Sequence, residues 1–312
     1  EAIGSKILMF NVESIPELAV INAVACRLKT VQKVAIRLNP DVAPDTHDYI
    51  TTGSRQNKFG MDVATVYRLF MESYRYPFVR FVGVHMHIGS QITNAKPFVK
   101  AIKRALKFID SVRFGGNPVE YLNIGGGLGI VYSKEKPQSA EDFAAEILPL
   151  FKDYDMKKNI KLVLEPGRFI SGNSGILVTK VLYLKHSDVK SFVIVDGGMN
   201  DLIRPSFYGA YHNILPVVKK SGRIQKIMAD VVGPICESGD FLGKNRKMAF
   251  TGVGDLLAVM SCGAYGFVMS SNYNSRPRVP EIVVKGSRFF VARKRETRDD
   301  LIHNEKIISQ VV

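Results

Sequence analysis

The stretch FVGVHMHIGSQITNAKPFVKAIKRALKFIDSVRFGGNPVEYLNIGG, residues 81–126, decides the fold. It begins with an apolar run, FVGVHMHI, that predicts a buried strand, and it ends with a second one, YLNIGG. Between them, KPFVKAIKRALKFIDSV has its apolar residues at helical spacing, which predicts an amphipathic helix. The residues on its apolar face are Phe98, Ile102, Leu106 and Ile109. Because strands joined by a crossover helix pair in parallel, this unit predicts a parallel sheet.

The same unit repeats on both sides of this stretch. The further predicted strands are KILMFNV (6–12), KVAIRLN (33–39) and IKLVLEPG (160–167). The further predicted helices cover 14–29, 62–73 and 139–154. Ser14 and Ser139 are predicted N-caps, Asp142 occupies the capping-box position, and a polar loop is predicted over 40–60. Near-continuous apolar strands indicate a sheet covered on both faces, either doubly wound or closed into a barrel.

After Arg168 the pattern changes to β-like runs without long helices. These runs are ILVTKVLYLK (176–185), SFVIVDGG (191–198), ADVVGPI (229–235), LLAVMS (256–261), YGFVMSS (265–271), EIVVKG (281–286) and RFFVARK (288–294). They predict a second domain of mainly antiparallel strands, resembling a β-sandwich or barrel. We therefore predict one domain over 1–172 and another over 173–312.

Composition excludes several classes of protein. The 312 residues are 46% hydrophobic, enough for one large core or two moderate ones. The three cysteines, Cys26, Cys236 and Cys262, form neither a disulfide framework nor a zinc pattern, which indicates a reducing cytoplasm. The net charge is +14, but the sequence contains no nucleic-acid recognition motif. An anionic small ligand is therefore the favoured partner of this basic chain. No segment is long and apolar enough to predict a membrane span, and no metal site is expected.

Chemically capable residues follow the predicted strands, where ligands gather in α/β folds. They are Arg37, Asn39, His85, His87, Ser90, the glycines of NIGGGLG (123–129), Glu165 and Arg168. A glycine-rich turn beside a serine and an arginine predicts a phosphate cradle. The alternatives are that the glycines only form a tight turn and that Glu165 and Arg168 form a surface ion pair. A TIM-type barrel commonly places its phosphate site near strands seven and eight. If the last two strands predicted here are those two, the five visible strands imply three more upstream of Glu1.

Six segments together resemble the bacterial diaminopimelate decarboxylases, within the alanine-racemase-like group. They are GVHMHIGSQI, NIGGGLGI, EPGRFI, DGGMNDLIRPSFYGAYH, GPICESGDFL and GDLLAVMSCGAYGFVMSSNYN, in the order of that family and spread over essentially the whole chain. The resemblance implies a TIM-like (β/α)8 barrel, of which strands 4–8 are visible, followed by a β domain. It also implies pyridoxal 5'-phosphate as cofactor and decarboxylation of meso-2,6-diaminopimelate to L-lysine. The expected assembly is a homodimer with shared active sites.

The resemblance also implies roles for individual residues. On the cofactor side, the expected contacts are His87 on the pyridine ring, Glu165 on its nitrogen, and Ser90, Gly126, Gly127, Gly167, Arg168 and Tyr265 around the phosphate. On the substrate side, they are Arg168, Arg204, Tyr208 and Tyr265, with Glu237 on the distal ammonium. Cys236 is expected to donate the proton. Both Cys236 and Glu237 are expected to reach the site from the partner subunit. By sequence neighbours alone, Cys236 beside acidic residues would instead be inert.

One expected motif is missing. The Schiff-base lysine of the family lies in a segment on an early barrel strand that has no match here, so we expect it upstream of Glu1. Two alternative functions remain at this point. The first is a related decarboxylase of ornithine, arginine or carboxynorspermidine, although Arg204 and Glu237 favour a substrate with a complete distal amino-acid group. The second is a non-catalytic homologue that binds a partner protein, although the motifs are complete.

Overall fold

Five short parallel strands form the first sheet, in the order in which they follow one another along the chain. They are β1 (Phe10–Val12), β2 (Gln32–Arg37), β3 (Val79–His85), β4 (Tyr121–Asn123) and β5 (Lys161–Val163). The computed structural model describes residues 1–40, 58–155, 159–218 and 225–308, so most of the predicted loop over 40–60 lies outside the described residues. Parallel strands in sequential order with helical crossovers are typical of a βα barrel, and the predicted fold class is confirmed.

Four helices connect these strands, where the sequence predicts them. They are α1 (Ile15–Arg27), α2 (Val63–Met71), α3 (Lys96–Phe114) and α4 (Ala140–Asp155). Side chains cap three of them: Ser14 accepts a hydrogen bond from the Glu17 N–H, Asp62 from Thr65, and Ser139 from Asp142. The predicted inward face of α3 is buried in the core against the sheet. The predicted N-caps at Ser14 and Ser139 are therefore confirmed.

The register of the sheet brings polar strand ends side by side. Arg37 pairs with His85 across β2 and β3, His85 with Asn123 across β3 and β4, and Asn123 with Val163 across β4 and β5. Because all five strands run the same way, the residues that follow this row lie at one edge of the sheet. That edge carries the polar residues singled out in the sequence.

The rest of the chain folds around a six-stranded sheet of order β10-β9-β7-β6-β11-β8. Its strands are β6 (Leu177–His186), β7 (Ser191–Val195), β8 (Ile214–Pro216), β9 (Lys226–Val232), β10 (Phe241–Ala249) and β11 (Leu256–Val259). Pairing is antiparallel except between β7 and β9. The first half of β6 pairs with β11 and the second half with β7. The remaining described elements are a hairpin, β12 (Glu281–Lys285) and β13 (Arg288–Arg293), and three short α-helices, α5 (Gly167–Ser171), α6 (Arg204–Tyr208) and α7 (Arg298–Ile302). Four 3₁₀ helices complete them, at Ser73–Arg75, Gly172–Ser174, Phe267–Met269 and Tyr273–Ser275.

One strand prediction in this region was wrong, and two strands, β8 and β10, were not predicted. The run 265–271 contains a 3₁₀ helix at Phe267–Met269, because Tyr265 has φ +57° and Gly266 has a non-strand conformation. Conversely, β10 was missed because its central residues, GKNRK, are polar and lack strand alternation. Its pairing with β9 contains register shifts around Gly243 and Arg246, which explains the absence of a period-2 pattern.

The chain divides into two compact units, the first comprising residues 1–130 and 135–169, the second 131–134 and 170–312. The predicted division after residue 172 stays a prediction, since compactness does not by itself define a folding domain. No helix within the described ranges has the length and apolarity needed to span a membrane.

Candidate functional site

Glu165 follows β5 at the polar edge of the parallel sheet. Its backbone N–H donates to the Gly125 carbonyl at 2.8 Å, which joins it to the glycine-rich turn after β4. One carboxylate oxygen, Oε1, accepts hydrogen bonds from Asn11 Nδ2 at 2.9 Å and from Asn123 Nδ2 at 2.7 Å. No described residue donates to Oε2, and the side chain is 44% exposed. One oxygen is therefore fixed by protein amides, and the other is available to a bound group.

His87 is held by the same turn. The Gly126 N–H donates to His87 Nδ1 at 3.1 Å, so Nδ1 is an acceptor and carries no proton. Burial, and next the positive charge of Arg37, lower the pKa of His87. Arg37 is fixed by an ion pair with Glu13 and donates to the His87 carbonyl at 3.4 Å. His87 is therefore a neutral imidazole with its proton on Nε2.

His85 lies in the same row and is only 4% exposed. Neither ring nitrogen has a hydrogen-bond partner among the described residues, and Nε2 is 3.6 Å from Glu165 Oε1. Burial, followed by the charges of Arg37 and His87, lowers the pKa of His85 to about 3. His85 is therefore neutral at physiological pH.

Acidification should destabilise the fold through His85. Its pKa is lower in the folded chain than in the unfolded chain, so the unfolded chain binds more protons below pH 6.5. The stability that His85 contributes is complete above pH 6.5 and is lost as the pH falls toward about 3. Between pH 7 and pH 5 the loss is about 2 kcal/mol. Urea unfolding followed by circular dichroism should show a shallower pH dependence for His85→Leu than for the native chain.

The matched control for this experiment is His303→Leu, because His303 is exposed. It measures the effect of removing an exposed imidazole, against which the effect of removing the buried His85 is compared. A native and a His85→Leu chain with parallel stability curves between pH 7 and pH 5 would contradict the prediction.

Close packing requires glycine at two positions of the glycine-rich turn. A Cβ on Gly126 would lie 2.3 Å from the Glu165 carbonyl oxygen, and one on Gly127 would lie 2.2 Å from that of Gly89. Gly127 also has φ +104°, which side chains disfavour. These glycines therefore do form a tight turn, as one of the alternative interpretations of the sequence proposed. The turn holds two neighbouring strand ends close together.

Two polar groups at this edge of the sheet, one in the turn and one after β3, have no partner in the part of the chain that the structure describes. Neither the Gly127 N–H nor the Ser90 hydroxyl has a hydrogen-bond partner among the described residues. The Gly126 N–H, in contrast, is committed to His87 and is not available to a phosphate. Gly167 has open space where a Cβ would point, and Arg168 is half-buried beside it. Two unsatisfied donors near an open strand end suit an anion.

These groups fit pyridoxal 5'-phosphate. The free Oε2 of Glu165 suits a protonated ring nitrogen, and the unsatisfied Ser90 hydroxyl and Gly127 N–H suit phosphate oxygens. Nothing in the described ranges suits a metal instead, since no group of three or more His, Cys, Asp or Glu side chains could hold one. The cofactor residues predicted on 87–168 thus lie along one sheet edge.

The second unit carries Cys236 and Glu237 in the loop between β9 and β10. Both side chains are exposed. Asp240 fixes this loop: Oδ2 accepts from the Ile235 N–H at 2.6 Å and Oδ1 from the Met199 N–H at 2.6 Å. Burial raises the pKa of the Asp240 carboxyl, and these backbone donors oppose the shift. The loop is thereby tied to the segment that follows β7.

Arg204 is buried at the start of α6 rather than exposed. Its Nη1 donates to His212 Nε2 at 2.8 Å, and its guanidinium lies 4.8 Å from the centre of the Tyr132 ring. Because Nε2 accepts, the His212 proton is on Nδ1, which donates to the Met260 carbonyl at 2.8 Å. The His212 ring therefore fixes the direction of the Arg204 side chain.

The two predicted tyrosines are partly exposed. Tyr208 is 38% exposed and packs edge-to-face on Phe207, whereas Tyr265 is 41% exposed and follows the end of β11. Within the second unit the structure gathers Cys236 and Glu237 in one loop, and within the first it gathers His87, Ser90, the glycine turn and Glu165.

Sequence reasoning missed several supporting residues. They are Asn11, Asn123, Glu13, His212, Asp240, Tyr273 and Asn274. For Asn11 and Asn123 a signal existed, because an amide in a short apolar strand is unusual and must find a partner. For Asp240, Tyr273 and Asn274 no local pattern shows which loop they contact.

Both the sequence and the fold have relatives among known proteins. The sequence model of a family described as "Pyridoxal-dependent decarboxylase, pyridoxal binding domain" matches residues 1–172. A diaminopimelate decarboxylase of Aquifex aeolicus is 46% identical over 302 residues, covering 97% of this chain and 71% of the relative. One of Vibrio cholerae is 45% identical over 312 residues, covering 99% of this chain and 73% of the relative.

A solved structure is also similar. The crystal structure of diaminopimelate decarboxylase from Helicobacter pylori, complexed with L-lysine, superposes with a TM-score of 0.90 at 37% identity. The similarity covers 97% of this chain and 74% of that one.

Proposed function

Because the chain belongs to the diaminopimelate decarboxylase family, we propose that residues of both units have roles in one decarboxylation reaction. The chain is a pyridoxal-phosphate-dependent carboxy-lyase that acts on an amino-acid substrate. Its reaction releases CO2 from meso-2,6-diaminopimelate and gives L-lysine, in lysine biosynthesis. The family membership decides against the two alternative functions considered above.

The cofactor supplies an electron sink for the electrons left when CO2 departs. Our assignment rests on the difference between the hydrogen bonding of the two carboxylate oxygens of Glu165. Asn11 and Asn123 hold Oε1, and no described residue donates to Oε2. We assign Oε2 to the protonated ring nitrogen, because a carboxylate there keeps the proton on the ring and so strengthens the sink.

His87 is assigned to the face of the ring. Its Gly126 contact fixes both the ring plane and the tautomer, and its neutral state avoids placing a second cation beside a protonated pyridine. Ser90, Gly127, Gly167 and Arg168 are assigned to the phosphate. Gly126 is reassigned as the residue that orients His87.

Cys236 is assigned the protonation step. Its S–H bond breaks as a C–H bond forms at the carbon that lost CO2, and solvent returns the proton to sulfur. Protonation by one positioned thiol delivers the proton to one face only. Glu237, next in the chain, is assigned to the distal ammonium group of the substrate.

We further propose that the chain works as a homodimer in the cytoplasm. In the dimer, Cys236 and Glu237 serve the site whose Glu165 belongs to the other subunit, and Tyr265 and Tyr208 line the cofactor and substrate sides. The exposure of Cys236 and Glu237 in the single chain supports this arrangement. The three scattered cysteines support a reducing compartment.

Arg204 is assigned to the distal carboxylate of the substrate, which ornithine lacks. Arg204→Met keeps the packing on Tyr132 but removes the charge, so the KM for meso-diaminopimelate should rise at least about tenfold. Any residual turnover of ornithine should not change, because ornithine has no group for Arg204 to bind. Initial rates of CO2 release with both substrates measure the effect.

The matched control is Arg293→Met, which removes another guanidinium stacked on a ring, 4.7 Å from the centre of Phe267. It should leave both KM values unchanged. Thermal melting of both variants separates binding from folding. An unchanged KM for meso-diaminopimelate in Arg204→Met would remove Arg204 from substrate contact.

A further inference from the structure

Two neighbouring residues contact the two functional side chains of the Cys236 loop. Asn274 Nδ2 donates to Cys236 Sγ at 3.1 Å, and Tyr273 Oη donates to Glu237 Oε2 at 2.9 Å. The four residues are thus two consecutive pairs, each member of one pair bonded to one member of the other. A single chance surface contact does not produce this correspondence.

The backbone of the contacting segment is unusual. Asn274 has φ +55° and ψ +32°, and Ser275 has φ +53°, so two consecutive residues with side chains adopt the left-handed region. Asn tolerates this conformation better than most residues, but Ser does so less readily. Such strain persists where the surrounding structure enforces it, and it clusters at functional sites.

The surroundings do enforce it. Asn272 Nδ2, immediately before the turn, donates to the Arg276 carbonyl at 3.0 Å and to Glu296 Oε2 at 2.7 Å. Arg276, immediately after it, donates to the Asp196 carbonyl at 2.6 Å. Both ends of the turn are anchored, so the Tyr273 and Asn274 side chains are presented in fixed positions.

The Cys236 loop is anchored independently by Asp240, as described above. The two segments therefore meet as two separately fixed pieces, and the contact between them sets the side-chain directions of Cys236 and Glu237. The hydrogen bond to Glu237, and next the charge of Glu237, raise the pKa of the Tyr273 hydroxyl, which therefore keeps its proton and remains a donor.

We infer that Tyr273 and Asn274 are positioning residues for the decarboxylation, Asn274 acting on the proton-donating thiol and Tyr273 on the ammonium-binding carboxylate. The inference rests on the proposed roles of Cys236 and Glu237. When the thiol gives up its proton, the sulfur keeps the electron pair as a thiolate, and the Asn274 N–H stabilises that charge. The same bond prevents the sulfur from turning to the other side of the reacting carbon.

The test replaces Asn274 with Gly in the full chain loaded with cofactor. Glycine accepts the left-handed backbone, so this variant removes the amide and keeps the turn. In D2O, the native enzyme should place deuterium on the new CHD carbon of lysine in one configuration. Asn274→Gly should give a mixture of both, as seen by NMR of the derivatised product.

A second measurement does not depend on turnover. Alkylation of Cys236 by iodoacetamide at pH 7.5, followed by peptide mass spectrometry, should be about threefold slower in Asn274→Gly, because the donor that stabilises the thiolate is gone. Asn274→Asp should be slower still, since its charge repels the thiolate. Exposed Cys26 should react equally in all variants, and burial raises the pKa of Cys262 to about 11, so both are internal references.

Tyr273→Phe tests the other contact. It should raise the KM for meso-diaminopimelate about fivefold, leave kcat unchanged and keep a single product configuration. A single configuration in Asn274→Gly, or alkylation of Cys236 at the native rate, overturns the inference. A single configuration in Cys236→Ala would instead overturn the proposed role of Cys236 itself, whatever the alkylation rates are.

Discussion

Replacing Glu165 with Gln should lower kcat by about 10³-fold while the cofactor stays bound. Gln has nearly the same shape, so the amides of Asn11 and Asn123 still surround it. It carries no negative charge, however, and cannot keep a proton on the ring nitrogen. The electrons left by CO2 would then enter a neutral pyridine, which is a much poorer sink. The effect should fall on kcat more than on KM.

The measurement is CO2 release under saturating substrate, together with the visible absorbance of the bound cofactor. Glu141→Gln, on the exposed side of α4, removes a carboxylate of the same kind and should leave both unchanged. A Glu165→Gln enzyme with full cofactor content and near-native kcat would show that ring protonation does not control the rate.

Cys236→Ala should lower kcat by about 10²-fold, because the protonation step loses its positioned acid. The stronger test is complementation with Glu165→Gln. If Cys236 serves the partner's site, a mixed dimer of the two variants has one site with both functional residues and one with neither. Equal mixing makes about half of the dimers mixed, so about a quarter of the native activity should return after dissociation and reassociation.

The control mixes Cys236→Ala with the double variant Glu165→Gln, Cys236→Ala, in which no site is complete, so no activity should return. Cys26→Ala, which removes the exposed cysteine of α1, should behave as the native enzyme. Activity that stays at the level of the single variants after mixing Cys236→Ala with Glu165→Gln would place Cys236 at the site of its own subunit.

The parallel half of the fold could be predicted from sequence because its signals are local. Apolar strand sequences alternate with helical sequences that have a defined apolar face. N-cap residues such as Ser14 and Ser139 indicate where helices begin. The second half was harder. Its strand β10 has a polar centre with pairing irregularities, and the segment after Tyr265 has strand-like composition but a backbone that interrupts extension.

For the site, the sequence indicated the strand ends but not the contacts between them. Glu165 and Asn123 are 42 positions apart, and Asn274 and Cys236 are 38 apart. Such pairings depend on sheet register and loop anchoring, which no window of neighbouring residues contains. The role of Gly126 shows the same limit: its glycine is visible, but the commitment of its N–H to His87 is not.

The bond between Gly126 and His87 has a consequence for how the enzyme responds to acid. A second proton on the imidazole can go only to Nδ1, the nitrogen that the Gly126 N–H already occupies. Charging the ring and keeping the turn closed are therefore mutually exclusive states. Acid titration of His87 should thus coincide with release of the Gly126 amide, which nitrogen-15 NMR would record as two resonances that change together.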